Sequence, residues 1–216
     1  MIAAKQNRKK SLMQKTLTGK QRFPGFDGEL KKYLIEELEE LGLVELSRGN
    51  VISKKDIEHI PGNFPIYSSS IKNNGLFGYY GKNMFDEELI TWSVDGGGHF
   101  FHRPKHKFSV TNVSGYMRLK TKNINYKFLA SQLEFLHTKL AFDYQSKAHP
   151  SVIRKLYLLS IPSIEEQQKI ASLLSAADKE IAIHQNQLTT LKQQKKGLMQ
   201  QLLTGKKRVN VNQVAA

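Results

Sequence analysis

Apolar residues in the C-terminal part of the chain recur with a period of seven from residue 170 to residue 202. Two interleaved series, separated by steps of four and three, follow the a/d pattern of a coiled coil. The members of this seam are Ile170, Leu174, Ala177, Ile181, His184, Leu188, Leu191, Lys195, Leu198 and Leu202. The pattern predicts one helix of about 40 residues that packs against a partner helix. A single amphipathic helix on the surface of its own domain is the alternative.

Capping signals at both ends predict that this coiled-coil helix occupies residues 163–205. Ser163 is a suitable N-cap residue, and Glu166 stands three positions later, as in a capping box. Gly205 is followed by three basic residues, which suits the C-terminus of a helix. Lys195 and His184 are polar residues in the apolar seam, and they would restrict the register and the choice of partner at some cost in stability.

The segments before this helix predict a mixed domain over residues 23–162. Residues 30–41 have an amphipathic helical pattern, residues 43–46 and 156–161 read as short strands, and Ser53 with Asp56 would cap a brief helix. Short aromatic and β-branched runs over residues 64–106 indicate an irregular, curved sheet. Asn125 would cap a helix over residues 126–140. The predicted fold class is α/β (α+β), followed by one long coiled-coil α-helix.

An internal repeat links the two ends of the chain. The sequence LMQKTLTGKQR at residues 12–22 recurs as LMQQLLTGKKR at residues 198–208, and ten of the fourteen positions that start at Lys9 and Lys195 are identical. Residues 1–22 therefore read as the remnant of a helix that ended a preceding unit. Residues 206–216 are predicted to be a basic, disordered tail.

The charge balance points to a polyanionic partner. The chain has 33 Lys and Arg against 19 Asp and Glu, a net charge of +14 and a pI near 9.8. An anionic membrane surface is less suitable than nucleic acid, because the cations are spread along the chain rather than along one amphipathic helix. The chain has no cysteine, which excludes disulfides and cysteine zinc sites and suits a reducing compartment. With no long apolar run, we expect a cytoplasmic protein.

No glycine-rich segment has the spacing of a nucleotide-binding loop. Gly96-Gly97-Gly98 is followed by His and Phe, and Thr18-Gly19-Lys20 is followed by Gln, so neither continues into the required Lys-Ser or Lys-Thr. The aromatic tetrapeptide that stacks an extruded base is also missing. We predict no cofactor, and we expect base chemistry, if any, to belong to another chain.

Two loose clusters of titratable residues suggest chemistry only weakly. His99, His102 and His106 resemble a metal cluster, but His99 and His102 fall on opposite faces of a strand and no carboxylate lies within the run. Asp95 with Glu87 or Glu88 and Lys105 could form a metal-dependent nuclease site, with a spacing that many basic proteins share. We therefore predict no catalytic residue and no metal ligand.

Polar loops between aromatic residues are better candidates for reading DNA. Amides suit base edges, and small hydroxyls and cations suit phosphates. The predicted DNA-binding residues are Ser68, Ser69, Ser70, Lys72, Asn73, Asn74, Tyr79, Tyr80, Lys82, His102, Arg103, Lys105, His106 and Lys107. A solvated polar loop is the alternative for each residue, and the net charge favours nucleic acid for the set.

Several motifs together resemble the specificity (S) subunit of a type I restriction-modification system. They include PIYSSSIKNNGLFGYY at residues 65–80, the Ile-Pro-x-x-x-Glu-Gln entry into the long helix at residues 161–167, and the Leu-Leu-Thr-Gly-Lys sequence at residues 202–206. The resemblance covers nearly the whole chain. It implies a target recognition domain at residues 23–162 and a spacer helix that pairs antiparallel with another. It also implies double-stranded DNA, modification (methyltransferase) subunits and a restriction subunit as partners.

The chain departs from this family pattern because it holds one recognition domain, one full helix and a helix remnant, where such subunits usually carry two of each. It therefore resembles a half-subunit, and we expect a homodimer or a pairing with another half-subunit. Two other functions stay open. One is an enzyme that cuts or modifies DNA itself, and the other is a coiled-coil scaffold that binds nucleic acid without sequence preference.

Overall fold

The computed structural model describes residues 1–95, 97–140 and 147–208. Most of the predicted tail at residues 206–216, from residue 209 onward, lies outside the described residues. The helices are α1 Ile2–Leu17, α2 Ile35–Glu40, α3 Lys54–His59, α4 Tyr126–His137, α5 Pro150–Leu156 and α6 Ile164–Leu203. The strands are β1 Lys31–Leu34, β2 Val44–Arg48, β3 Phe64–Tyr67, β4 Leu76–Tyr80, β5 Phe85–Ser93, β6 Phe100–Val110, β7 Ser114–Leu119 and β8 Leu158–Ile161.

The described residues form two compact units. Residues 11–173 make up the larger unit, and residues 1–10 with residues 174–208 make up the other. Within the described parts of the chain, no helix combines the length and the apolar character that crossing a membrane requires.

Two sheets are present in the larger unit. The strand order of the main sheet is β2-β7-β5-β6-β3-β4, with antiparallel neighbours except for β3 and β6, which run parallel. The register shifts between Glu87 and Leu89 and again between Ile66 and Tyr67, which makes the sheet irregular. Strands β1 and β8 form a separate antiparallel pair. The predicted α/β class with an irregular sheet and a long C-terminal helix is confirmed.

The main hydrophobic core packs α4, α2 and α5 against the main sheet. Trp92 on β5 is fully buried, and its indole Nε1 donates a hydrogen bond to the carbonyl oxygen of Ala148 at 2.8 Å. Leu129 and Leu133 of α4 and Ile153 of α5 are buried in the same cluster. A smaller cluster of Phe85, Leu89, Phe108 and Val110 lies under the other end of the sheet.

The short elements follow their local signals with two exceptions. The capping box of Ser53 and Asp56 and the Asn125 cap of α4 are confirmed, although α4 ends at His137 rather than at residue 140. The prediction of one helix over residues 30–41 is wrong for residues 31–34. These residues form β1, because they pair with β8 from the far end of the domain. This pairing is a long-range contact, and it outweighs the local helical pattern.

The long helix α6 runs from Ile164 to Leu203, just inside the predicted range of residues 163–205, and one predicted capping residue has a different role. The Ser163 hydroxyl accepts a hydrogen bond from the Glu166 amide at 3.4 Å, and Gly205 has a φ of +69° at the other end. The carboxylate of Glu166 is 1% exposed and binds Arg22 instead of completing a capping box. The Arg22 Nε lies 2.7 Å from one carboxylate oxygen, and an η-nitrogen lies 2.6 Å from the other.

Gln132 is a buried polar residue that joins three segments of the larger unit. Its Nε2 donates to the carbonyl oxygens of Leu17 at 3.0 Å and Ser160 at 2.9 Å, and its Oε1 accepts from the Ser160 amide at 3.3 Å. We expect Gln132→Leu to lower the free energy of unfolding by about 2–3 kcal/mol, because it leaves buried backbone groups unsatisfied. Urea denaturation measures the change.

The matched control for this prediction is Ser131→Ala at the neighbouring position. Among the described residues the Ser131 hydroxyl bonds only to a carbonyl oxygen of its own helix, so its loss should change stability by less than about 0.5 kcal/mol. Equal effects of the two substitutions would show that Gln132 does not hold the segments together.

Candidate nucleic-acid interface

A cleft of about 390 Å³ lies at the edge of the main sheet, where β3, β4 and β6 meet a short turn at residues 72–75. Its lining consists of Pro65, Tyr67, Asn73, Asn74, Leu76, Tyr79, His102, Arg103, Pro104 and His106. The fold thus brings together the two predicted polar segments, one that ends at Asn74 and one that starts at His102. The prediction of a loop is wrong for the second segment, which lies on strand β6 because it pairs with β5. Pro65, Tyr67, Leu76 and Pro104 were not predicted. Leu76 and Pro104 lie between predicted residues in the sequence, whereas Pro65 and Tyr67 precede Ser68 and are brought to the cleft by strand β3.

Aromatic packing supports the floor of the cleft. Tyr67 contacts Phe108 edge-on with a centroid distance of 5.6 Å, and the His106 ring stacks on Phe108 at 4.6 Å. His106 Nδ1 lies 2.5 Å from the carbonyl oxygen of Pro104 and must donate to it, because a carbonyl oxygen only accepts. In the neutral ring, Nε2 then accepts from the Tyr67 hydroxyl at 3.1 Å. His106 is therefore held by both ring nitrogens.

Arg103 is buried beneath the cleft and positions the turn above it. Its guanidinium lies 3.6 Å from the centroid of the Tyr67 ring and 4.8 Å from that of Phe101. It donates to the Thr91 hydroxyl at 2.9 Å and to the carbonyl oxygen of Asn74 at 2.6 Å. Burial lowers the pKa of Arg103 to about 10, so the side chain stays protonated at neutral pH. We assign it to holding the turn rather than to direct contact with a ligand.

The turn itself presents two exposed amides from a conformation that few residues adopt. Asn73 and Asn74 have φ values of 50° and 52°, in the left-handed region that Asn tolerates better than most side chains. Their side chains are exposed. The Ser68 amide donates to the carbonyl oxygen of Gly75 at 2.8 Å, which closes the segment. The cleft therefore displays two adjacent amides on a fixed backbone.

The three predicted serines bond mainly within the protein. The Ser68 hydroxyl accepts from the Thr111 hydroxyl at 3.0 Å, and the Ser70 hydroxyl accepts from the Lys72 amide at 3.1 Å. The carbonyl oxygen of Ser69 accepts from the Ser93 hydroxyl at 2.6 Å. These contacts shape the loop that leads into the turn.

Exposed cations and aromatic rings lie close in sequence to the lining of the cleft. Lys72, Lys82, Lys105 and Lys107 are exposed and form no ion pair within the described residues. Lys72 precedes Asn73, and Lys105 lies between Pro104 and His106 of the lining, whereas the Lys107 ammonium lies 5.6 Å from the centroid of the Phe64 ring. By contrast, Arg118 is paired with Glu87 and Glu45 elsewhere on the sheet. On the edge strand β4, Tyr79 is about half exposed, and Tyr80 is partly buried. Lys72 and Lys105 therefore offer positive charge beside the cleft without a carboxylate partner among the described residues, and Tyr79 offers a ring surface for stacking.

The three histidines of the suggested metal cluster have separate partners. His99 Nδ1 lies 2.9 Å from Glu134, His102 Nε2 lies 2.6 Å from Glu88, and His106 binds Tyr67. Burial lowers the pKa of His102, against the opposite effect of the Glu88 carboxylate. In the described part of the chain, no three potential metal ligands lie together.

The acidic residues of the suggested nuclease site also have different partners. Glu87 binds Arg118, Glu88 binds His102, and a carboxylate oxygen of Asp95 lies 3.3 Å from the Lys147 ammonium. Lys105 is exposed and lies in sequence between Pro104 and His106 of the cleft lining. Gly96 of the glycine triplet lies outside the described residues.

The predicted helix seam divides into a covered half and an exposed half. Ile170, Leu174 and Ile181 are each at most 9% exposed, while Ala177 and His184 are partly covered. The remaining apolar members, which are 43–61% exposed, are Leu188, Leu191, Leu198 and Leu202. Lys195 is also exposed.

Helix α1 forms ion pairs with residues of α6 that flank the covered half of the seam. Lys5 Nζ lies 2.5 Å from a carboxylate oxygen of Glu180, and Lys9 pairs with Asp178. The paired residue numbers fall on α6 as they rise on α1, so the two helices run antiparallel. Burial of the first half of the seam is therefore achieved within one chain.

Residues 32–193 match the family described as "Type I restriction modification DNA specificity domain". The specificity subunit of the type I restriction enzyme MpnII of Mycoplasma pneumoniae is 35% identical over 141 residues, which cover 63% of this chain and 42% of that protein. The MjaVIII specificity subunit of Methanocaldococcus jannaschii is 26% identical over 157 residues, covering 68% and 36%. The chain spans about half the length of the curated relatives it matches.

Solved structures show the same fold. The crystal structure of a type I restriction-modification S subunit from M. genitalium superposes with a TM-score of 0.71 at 14% identity, covering 91% of this chain and 53% of that one. The HsdS subunit of Thermoanaerobacter tengcongensis gives a TM-score of 0.59 at 13% identity, with coverage of 93% and 52%.

Proposed function

The chain belongs to the type I restriction-modification DNA specificity family, and we propose that it reads the DNA sequence for a type I restriction-modification complex. The observation that carries this proposal is the cleft, which displays two exposed amides on one turn and whose lining residues Asn73, Pro104 and His106 are next in sequence to exposed lysines. Amides discriminate base edges, and lysines bind phosphates of any sequence. The cleft thus combines the two kinds of contact that specific DNA recognition needs.

The residues of the cleft have different proposed roles. Asn73 and Asn74 contact base edges, and Tyr79 stacks against the nucleic acid. Phosphates are bound by Lys72, Lys82, Lys105 and Lys107. The residues that hold these groups in place are Ser68, Ser69, Ser70, Tyr80, His102, Arg103 and His106.

We propose that this chain is not itself catalytic and that it works in the cytoplasm with modification and restriction subunits and double-stranded DNA. In this assignment the modification subunits methylate the DNA and the restriction subunit cuts it. The relatives support the assignment because they are named specificity subunits. The separate partners of Asp95, Glu87 and Glu88 also support it.

The exposed half of the seam supports association of two chains through α6. Leu188, Leu191, Leu198 and Leu202 form an apolar stripe on a helix, and such a stripe is stabilised by a partner helix. An antiparallel pair of identical chains has twofold symmetry, so it would read a bipartite target whose half-sites are inverted copies. Pairing with a different half-subunit would instead give two unrelated half-sites.

The role of Asn73 gives a testable prediction. We expect Asn73→Gly to reduce the preference for the cognate site over other sequences by about 1–3 kcal/mol, because it removes an amide that reads a base edge. Glycine adopts the φ of 50° without strain, whereas alanine would also strain the turn. Competition binding with cognate and scrambled duplexes measures the preference. Lys72→Ala is the contrasting variant, and it should weaken binding to both duplexes equally.

A selection experiment tests the proposed function against its alternatives. The purified chain, alone and with candidate modification subunits, is incubated with a random duplex library in excess competitor DNA, and the bound fraction is sequenced. We expect one enriched motif. A coiled-coil scaffold would enrich none. A nuclease would nick DNA in the presence of a divalent metal, and Asp95→Ala would abolish the nicking.

A further inference from the structure

The two copies of the internal repeat end in the same backbone structure. Gly19 and Gly205 have φ values of 71° and 69°. The Gln21 amide donates to the carbonyl oxygen of Lys15, and at the equivalent place the Lys207 amide donates to that of Gln201, both at 3.0 Å. The two copies therefore present their side chains from the same local scaffold.

The end of the first copy packs against other segments of the larger unit. Leu17 is 3% exposed, and its carbonyl oxygen accepts a hydrogen bond from Gln132. Arg22 binds the buried carboxylate of Glu166 through two hydrogen bonds. These contacts define a docking site for the end of the repeat, which we call the repeat socket, formed by Gln132 and Glu166.

The pattern of burial along α1 extends this correspondence. A shift of 186 residues, which aligns the two copies, places the seam positions Leu188, Leu191, Lys195, Leu198 and Leu202 on residues 2, 5, 9, 12 and 16 of α1. Among residues 1–12, these four positions, 2, 5, 9 and 12, are partly covered and all the others are exposed. The fifth position, Thr16, is buried. The heptad pattern and the repeat thus select the same helix face independently.

The second copy carries the same docking groups but leaves them exposed. Leu203, the equivalent of Leu17, is 82% exposed, and Leu198, the equivalent of Leu12, is 53% exposed. Arg208, the equivalent of Arg22, is also exposed. Each chain therefore has one repeat socket on its larger unit and two segments that fit it.

We propose that the second repeat copy of one chain exchanges with the first copy of another, so that residues 188–208 of each protomer replace residues 2–22 on its partner. In this arrangement Arg208 binds Glu166 of the partner subunit, and Lys195 binds Asp178 of the partner subunit. The inference rests on the proposed function only in taking the homodimer as the active form, and its test requires no DNA.

The charges favour exchange over simple pairing of the exposed halves. If α1 stayed in place and only the exposed seams met, an antiparallel pair from Leu188 to Leu202 would be centred on residue 195. The two Lys195 ammonium groups would then face each other at the twofold axis, which is unfavourable. Exchange instead gives each Lys195 the position of Lys9, which is paired with Asp178.

The differences between the two repeat copies give α1 a regulatory role in dimer formation. Thr16 of the first copy corresponds to the larger apolar Leu202 in the second, so the second copy has more apolar surface to bury. The first copy is attached to its own socket, however, and a short tether gives it a high effective concentration. Helix α1 thus acts as an internal competitor that is displaced as the protein concentration rises.

Matched substitutions at equivalent positions test the exchange. Arg22→Gln weakens only the internal copy and should strengthen dimerisation roughly tenfold per socket, since it removes charged hydrogen bonds to a buried carboxylate. Arg208→Gln, the same change in the second copy, should weaken dimerisation by a similar factor. Sedimentation equilibrium measures both dissociation constants. The proposal is wrong if Arg208→Gln has no effect or if both variants shift in the same direction.

A second pair of variants covers the case in which Arg22→Gln destabilises the domain. Lys9→Gln and Lys195→Gln alter partly exposed ion pairs, so each should change the dissociation constant by a few-fold, again in opposite directions. Lys9→Gln should lower the dissociation constant of the dimer, and Lys195→Gln should raise it. A change of the same sign in both would contradict the exchange.

Cysteine cross-linking determines the geometry, because the natural chain has no cysteine. With a short bismaleimide, exchange predicts that the Asp178→Cys/Lys195→Cys variant forms a covalent dimer and that Lys195→Cys alone does not. Pairing of the exposed halves predicts that Lys195→Cys alone already forms the covalent dimer, since the two Lys195→Cys sites would meet at the axis. A covalent dimer of Lys195→Cys alone would overturn the exchange and leave the DNA-reading function untouched. Loss of sequence preference in DNA binding, with the cross-linking pattern of exchange retained, would instead contradict the DNA-reading function and leave the exchange intact.

Discussion

Replacing Lys72, Lys105 and Lys107 with alanine is expected to weaken DNA binding about a hundredfold near 150 mM salt. Each lysine that neutralises a phosphate contributes about −0.9 to the slope of log K against log salt concentration, so three contribute roughly −2.7. All three side chains are exposed, are next in sequence to residues that line the cleft, and lack carboxylate partners within the described residues. Fluorescence anisotropy over a salt series measures both the affinity and the slope.

A charge-matched triple variant controls for the overall positive charge. Lys31 and Lys32 lie on β1, which belongs to the two-stranded sheet, and Lys155 lies on α5. Alanine at these three positions removes the same net charge and should leave the slope unchanged within about one. If the two triple variants lose affinity equally, binding follows the net charge and the cleft is not the interface.

The second large effect is expected from Leu198→Asp, which should raise the dissociation constant of the dimer at least a hundredfold. Leu198 is 53% exposed in the single chain and belongs to the apolar seam. Burying its side chain stabilises each interface by roughly 1.5–3 kcal/mol, and a carboxylate there would have to be desolvated. A twofold dimer contains the substitution twice, so the losses add up. Analytical ultracentrifugation over a concentration series gives the constant.

Ile183→Asp is the control for this experiment. Ile183 is 56% exposed on the same helix, but it falls outside the seam. It should leave the dimer unchanged. A wild-type chain that is monomeric at tens of micromolar and unaffected by Leu198→Asp would contradict the homodimer and favour a different half-subunit as the partner.

Local sequence signals predicted α6 and its ends because the heptads, the Ser163 cap and Gly205 all act within a few residues. The same reasoning failed for β1, whose strand conformation depends on pairing with β8 more than 120 residues away. Glu166 shows the same limit. Its spacing from Ser163 is that of a capping box, yet its carboxylate binds Arg22 from the other end of the domain.

Composition and residue type predicted which two segments contribute to the cleft, but not that the second lies on strand β6 or which of the side chains are buried. Arg103 looked like a contact to a base or phosphate, and its burial against Tyr67 depends on the parallel pairing of β3 with β6. The heptads likewise identified the seam without showing that its first half is covered within the chain. Both facts depend on contacts between distant segments.

The most direct measurement for the central claim is the pattern of DNA methylation that depends on this chain. The chain is co-expressed with candidate modification subunits in a host that lacks other DNA methylation, and methylated bases are mapped by single-molecule sequencing. We predict one new bipartite motif with inverted half-sites, which disappears when this chain is omitted and is relaxed by Asn73→Gly. Methylated sites that are the same with and without the chain would contradict the account.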